Sequence, residues 1–101
     1  MWALVMFDLP VDTKRARKAY AAFRKALLQD GFIKMQYSVY ARSCPSEENA
    51  AVHVQRVERM LPSDGEVRIL LLTDKQFARM QIYWGKIRQT PPKAPSQLEL
   101  F

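Results

Sequence analysis

The run Trp2-Ala3-Leu4-Val5-Met6-Phe7 is apolar at every position, so neither of its alternating faces can be left to water. A strand of this kind belongs in the middle of a sheet, covered on both sides, and the rest of the chain has to be arranged around it. The run is far shorter than the roughly 20 residues a membrane span needs, and it lacks the basic segment that opens a secretion signal. It reads as a strand ended by Asp8, with Pro10 marking the exit from the sheet.

The next elements follow from capping residues and periodicity. Asp12 or Thr13 can cap a helix that runs to about Asp30, where Gly31 supplies a left-handed terminus. At 100° per residue, Ala16, Ala19, Tyr20, Phe23, Ala26 and Leu27 share an arc of about 120°, and Lys14, Arg15, Arg17, Lys18 and Lys25 lie opposite. Phe32 to Met35 and Tyr37 to Arg42 are rich in β-branched and aromatic residues and predict one bent strand or two short ones, with a break near Gln36. Ser46, followed by Glu47 and Glu48, starts a second helix whose stripe is Ala50, Val54, Val57 and Leu61 and which Pro62 closes. Glu66 to Thr73 predicts a largely buried strand, and Met80, Ile82 and Trp84 alternate in a short last one.

The order β, α, β(β), α, β, with an extra C-terminal strand, is the split βαβ pattern of an α+β, ferredoxin-like fold with both helices on one sheet face. The opposite face is apolar too, which predicts that the chain dimerises through it. Residues 1–89 form the expected domain and 90–101 a Pro-rich tail, in which Leu98, Leu100 and Phe101 could add to a partner as a strand.

Sixteen Lys and Arg against ten Asp and Glu leave a net charge of +6, which favours polyanionic partners. With Cys44 as its one cysteine and His53 as its one histidine, the chain can form no internal disulfide and cannot complete a zinc site of the usual Cys and His type. A reducing, cytoplasmic compartment is expected. His53 falls on the flank of the second helix stripe, a structural or surface position with no nucleophile placed beside it.

Two features could carry chemistry. Asp8 puts a carboxylate at the end of a hydrophobic strand, where burial without a metal, hydrogen bonds or solvent would be costly. Lys14-Arg15-Ala16-Arg17-Lys18 places four cations in five residues at the start of a helix, where the dipole already repels them, so contact with phosphate is the natural reason for them. Arg42 joins this set as a candidate nucleic-acid contact. Phe32, Tyr37 and Tyr40 could stack bases as in an RNA recognition motif. The segment lacks that module's glycine-containing signature, so these aromatics are assigned to the core or a dimer interface.

The segments Phe7-Asp8-Leu9-Pro10, Lys14-Arg15-Ala16-Arg17-Lys18, Gly31-Phe32-Ile33-Lys34-Met35-Gln36-Tyr37-Ser38-Val39-Tyr40 and Leu71-Leu72-Thr73-Asp74-Lys75-Gln76-Phe77 together resemble the CRISPR-associated protein 2 family. The resemblance runs from about Trp2 to Gly85. It implies a homodimer that spans double-stranded DNA, or RNA, and docks on the integrase CRISPR-associated protein 1 during capture of new spacers. It also implies one magnesium ion (Mg2+) per dimer, held between the two copies of Asp8, which would then be both the metal ligand and the catalytic residue of an endonuclease. The alternatives are that endonuclease as the main activity, or a single-stranded RNA-binding module with exposed aromatics on its open sheet face.

Overall fold

The computed structural model describes residues 1–94. Its elements are β1 (Trp2–Asp8), α1 (Lys14–Gln29), β2 (Ile33–Gln36), β3 (Val39–Ser43), α2 (Glu47–Arg59), β4 (Glu66–Leu72), α3 (Asp74–Ala78), β5 (Ile82–Trp84) and β6 (Ile87–Gln89). The first four strands form one antiparallel sheet in the order β2-β3-β1-β4, and both long helices cover one face of it. This is a mixed α+β, ferredoxin-like fold. Leu98, Leu100 and Phe101 lie outside the described residues.

Burial on both faces puts β1 in the interior of the sheet. Val5 stands opposite Tyr40 on one side and Ile69 on the other. Ala3, Val5 and Phe7 point to the helices and pack with Phe23 and Leu27 of α1 and with Ala50 and Val57 of α2. The alternate residues Trp2 and Leu4 point the other way and pack with Ala41 and Phe77. There the Trp2 and Phe77 rings stack with centroids 4.0 Å apart and planes 7° from parallel.

Local signals set most boundaries. The Thr13 hydroxyl accepts from the Ala16 amide at 3.0 Å, and α1 closes at Asp30 before Gly31, whose φ is 87°. The Ser46 hydroxyl does the same for the Asn49 amide at the start of α2. The break expected near Gln36 is a turn at Tyr37 and Ser38.

Four features differ from the sequence expectation. The residues after β4 fold into α3, where Thr73 and Gln76 cap each other reciprocally. The last segment is a hairpin, with β5 returning as β6 through the Gly85-Lys86 loop, and it forms a sheet of its own. β4 is exposed or half-buried along its length instead of being largely buried, because it is an edge strand, and on its outer face Leu72 packs against Phe77 of α3. α2 ends at Arg59, leaving Leu61 exposed, and its buried positions are Ala50, His53 and Val57.

His53 takes a core position because Asp30 receives it. The His53 Nδ1 donates to Asp30 Oδ2 at 2.8 Å, and Arg56 Nη1 donates to Asp30 Oδ1 at 2.8 Å. The Arg42 Nε donates to the Asp30 backbone carbonyl at 2.9 Å. One aspartate therefore joins the end of α1 to α2 and to the end of β3. Burial alone would raise the Asp30 pKa. Hydrogen bonds from His53 and Arg56, and the charges behind them, outweigh burial and hold it below the ordinary value of 3.8.

A carboxylate whose pKa is depressed on folding stabilises the fold above its unfolded pKa, and that contribution fades as pH falls through the folded value. We therefore expect Asp30→Asn to lose about 1–3 kcal/mol at neutral pH by urea unfolding, and the gap to the parent to close as pH drops below 3.8. The turn before β4 yields a second expectation. Gly65 has φ 93°, and a Cβ there would lie 2.7 Å from Leu9 Cδ2 and 2.8 Å from the Asp8 carbonyl oxygen. Gly65→Ala should thus cost about 2 kcal/mol or more in the same assay, since strain and overlap add.

Candidate nucleic-acid interface at the end of the first strand

Asp8 is the last residue of β1 and shares the face of Trp2, Leu4 and Met6, turned away from the helices. It is solvent-exposed. Its cross-strand partner is Glu66, so two carboxylates stand directly opposite each other at the sheet end. Like charges in that relation disfavour one another, and Arg68 relieves part of this by donating from Nε to Glu66 Oε1. The turn at Gly65 runs so close to this strand end that a side chain there would collide with the Asp8 carbonyl. Glu66 is a neighbour that only the strand register reveals, since it is 58 positions from Asp8 in sequence.

This pair suits one kind of metal. Magnesium keeps most of its waters and takes one or two carboxylates, and Asp8 with Glu66 opposite offers that donor set. No cage is prebuilt: among the described residues no three His, Cys, Asp or Glu side chains could share an ion.

Beyond Pro10 the chain enters α1, and Lys14, Arg15, Arg17 and Lys18 are all exposed there. The Arg17 Nη1 donates to the Val11 carbonyl at 3.1 Å, which folds the approach to the helix under its first turn. The first turn of α1 holds no acid and the last turn no base. α2 has the opposite layout, with Glu47 and Glu48 at its start and Arg56 and Arg59 at its end. The second helix thus follows the dipole and the first opposes it. Arg42 is not brought to this cluster. It is half-buried, and its guanidinium donates to the carbonyls of Asp30 and Ser43 beside the far end of α1, about 24 Å along a 16-residue helix.

The turn between β2 and β3 completes the surroundings. The Phe7 amide donates to the Ser38 carbonyl at 3.0 Å, which sets this turn against the end of β1. Ser38 has φ 62°, a left-handed conformation uncommon outside glycine, and its hydroxyl lies 3.3 Å from the Tyr20 hydroxyl. Phe32 and Tyr40 are core residues, as the sequence suggested, but Tyr37 is 73% exposed. Tyr37 is itself part of the turn, so its exposure follows from the turn and not from strand alternation. The aromatics within the four-stranded sheet are Trp2, Phe7 and Tyr40, and all three are buried. The open face therefore lacks the exposed aromatic platform on which an RNA recognition motif depends.

No helix of the described residues is long and apolar enough to cross a membrane. The family model described as "CRISPR associated protein Cas2" matches residues 1–80. A protein of Parvibaculum lavamentivorans named CRISPR-associated endoribonuclease Cas2 is 60% identical over 101 residues, covering the whole of both chains. One of the same name from Flavobacterium psychrophilum is 46% identical over 101 residues, covering all of this chain and 88% of the other. The crystal structure of Streptococcus pyogenes Cas2 superposes with a TM-score of 0.62 at 22% identity, over 83% of this chain and 100% of that one, a likeness of fold. With a family model matched over most of its length and a relative this similar end to end, the chain belongs to the CRISPR-associated protein Cas2 family.

Proposed function

We propose that this protein is a dimeric nucleic-acid-binding scaffold that acts with the integrase CRISPR-associated protein 1 in acquiring new spacers. The observation that carries the reading is the reversed charge layout of α1. Four exposed cations sit where the helix dipole disfavours them, while α2 in the same chain obeys the dipole. A duplex backbone compensates such an arrangement through direct phosphate contacts and release of its counterions. Lys14, Arg15, Arg17 and Lys18 are the contacts on that surface. The apolar face opposite the helices supports a second copy as its cover, since Ile33 and Leu70 on the sheet and Tyr83, Trp84 and Ile87 on the hairpin are all exposed in the single chain. Double-stranded DNA is the proposed ligand, and the cytoplasm is where it would be met.

A second reading, a magnesium-dependent endonuclease, is favoured by the exposed carboxylate pair and by the endoribonuclease name that the relatives bear. Asp8 would hold the ion together with the partner's copy in the dimer, and Glu66 opposite it on β4 would add to the negative charge around that site. A bound magnesium supplies Lewis acidity at a phosphodiester and lowers the pKa of a coordinated water. The chain's own part is to present Asp8 on a rigid strand end, with the α1 cations oriented toward the phosphates on either side.

The two readings separate experimentally. Replacing Arg15 and Arg17 with Glu should weaken duplex binding at least about tenfold at low salt and lower the slope of log affinity against log salt by about two, read by fluorescence anisotropy. Affinity that does not change would contradict the scaffold surface. Asp8→Ala should abolish magnesium-dependent cleavage while duplex affinity and sedimentation mass stay at parent values. Cleavage that survives it would place the activity elsewhere.

A further inference from the structure

We propose that Tyr37 is a stacking site for one unpaired nucleobase at the edge of the duplex-binding surface, a role that rests on the nucleic-acid reading above. Its ring is held in place although it is 73% exposed. Tyr20 backs it with ring centroids 6.2 Å apart and planes 24° from parallel, and Tyr20 is itself fixed edge-on against the core residue Phe7. The Lys34 ammonium lies 5.9 Å from the Tyr37 centroid. An aromatic ring supported from behind by another ring, with a cation alongside, is how proteins hold a base and its phosphate at once.

The backbone around the ring points the same way. Ser38 keeps a left-handed conformation that a glycine would adopt without strain, and it is held there by the Phe7 amide and the Tyr20 hydroxyl. The turn is thereby fixed beside the strand end that carries Asp8, and Tyr20 belongs to the helix that carries the cations. Tyr37 therefore stands against the helix that carries the cations, on the turn beside the strand end that carries Asp8. The residues bracketing that ring, Lys34, Gln36 and Ser38, are cationic or polar, which suits a base and its phosphate better than an apolar protein surface. An unpaired base is the fitting occupant because a base within a duplex has both faces covered by its neighbours.

The test compares a blunt duplex with the same duplex bearing a short unpaired overhang that contains 5-iodouracil, using the full chain. Tyr37→Ala should leave blunt-duplex affinity unchanged, lower affinity for the overhang duplex about tenfold and remove a photo-crosslink that peptide mapping places on Tyr37 in the parent. Tyr37→Phe, which keeps the ring, should retain both. A parent chain that crosslinks an overhang at Tyr37 yet has no affinity for the blunt duplex would uphold the stacking site and overturn the duplex scaffold. Duplex binding with no gain from the overhang and no crosslink at Tyr37 would overturn the stacking site alone. So would a Tyr37→Ala variant whose sedimentation mass changes while its overhang affinity does not, since that would make Tyr37 a protein contact.

Discussion

The packing of Phe7 holds the candidate nucleic-acid end of the molecule together. Its ring meets Phe23 edge-on at 5.1 Å, Tyr20 edge-on at 5.8 Å and Tyr40 in a stack at 5.7 Å. Its amide also anchors the turn at Ser38. A single residue, one position before Asp8, therefore ties together the central strand, the basic helix and the turn that displays Tyr37. A buried aromatic of this size is worth several kcal/mol, enough to hold an exposed ring and a left-handed serine in one arrangement.

Electrostatics then distinguish the two helices built on that frame. α2 is charged as a stable helix should be, and its inner side is joined to α1 by the carboxylate of Asp30 acting on His53 and Arg56. α1 gives up the favourable charge arrangement at its start, where dipole interactions are worth about 0.3–1 kcal/mol each. In a domain of marginal stability that cost matters, and in the proposed function a polyanionic partner offsets it.

Much of this frame was legible in the sequence. The uninterrupted apolar run predicted the interior strand, Asp12 or Thr13 with Gly31 bounded α1, Ser46 started α2, and Gln36 marked the break between β2 and β3. The parts that were not legible depend on tertiary contacts. His53 is buried because Asp30 is 2.8 Å away, a relation between residues 23 positions apart that helical periodicity cannot register. β4 resembles a buried strand by composition but is an edge in the sheet. Glu66 reaches Asp8 only through strand pairing, and Tyr37 is exposed because it lies in the turn that precedes β3. The α3 helix was available in principle, because Thr73 and Gln76 have the spacing of a capping box, although five residues are too few to show a helical stripe.

In the proposed function, Asp8, the start of α1 and the Tyr37 turn make up one nucleic-acid surface. It is tested most directly by mapping amide chemical shifts of the isotope-labelled protein during titration with duplex DNA carrying an unpaired end. The perturbed amides should cluster at Asp8, at Lys14 to Lys18 and at Lys34 to Ser38, while the outer face of α2 stays unmoved. Shifts confined to α2, or spread evenly with no cluster at the end of β1, would contradict it.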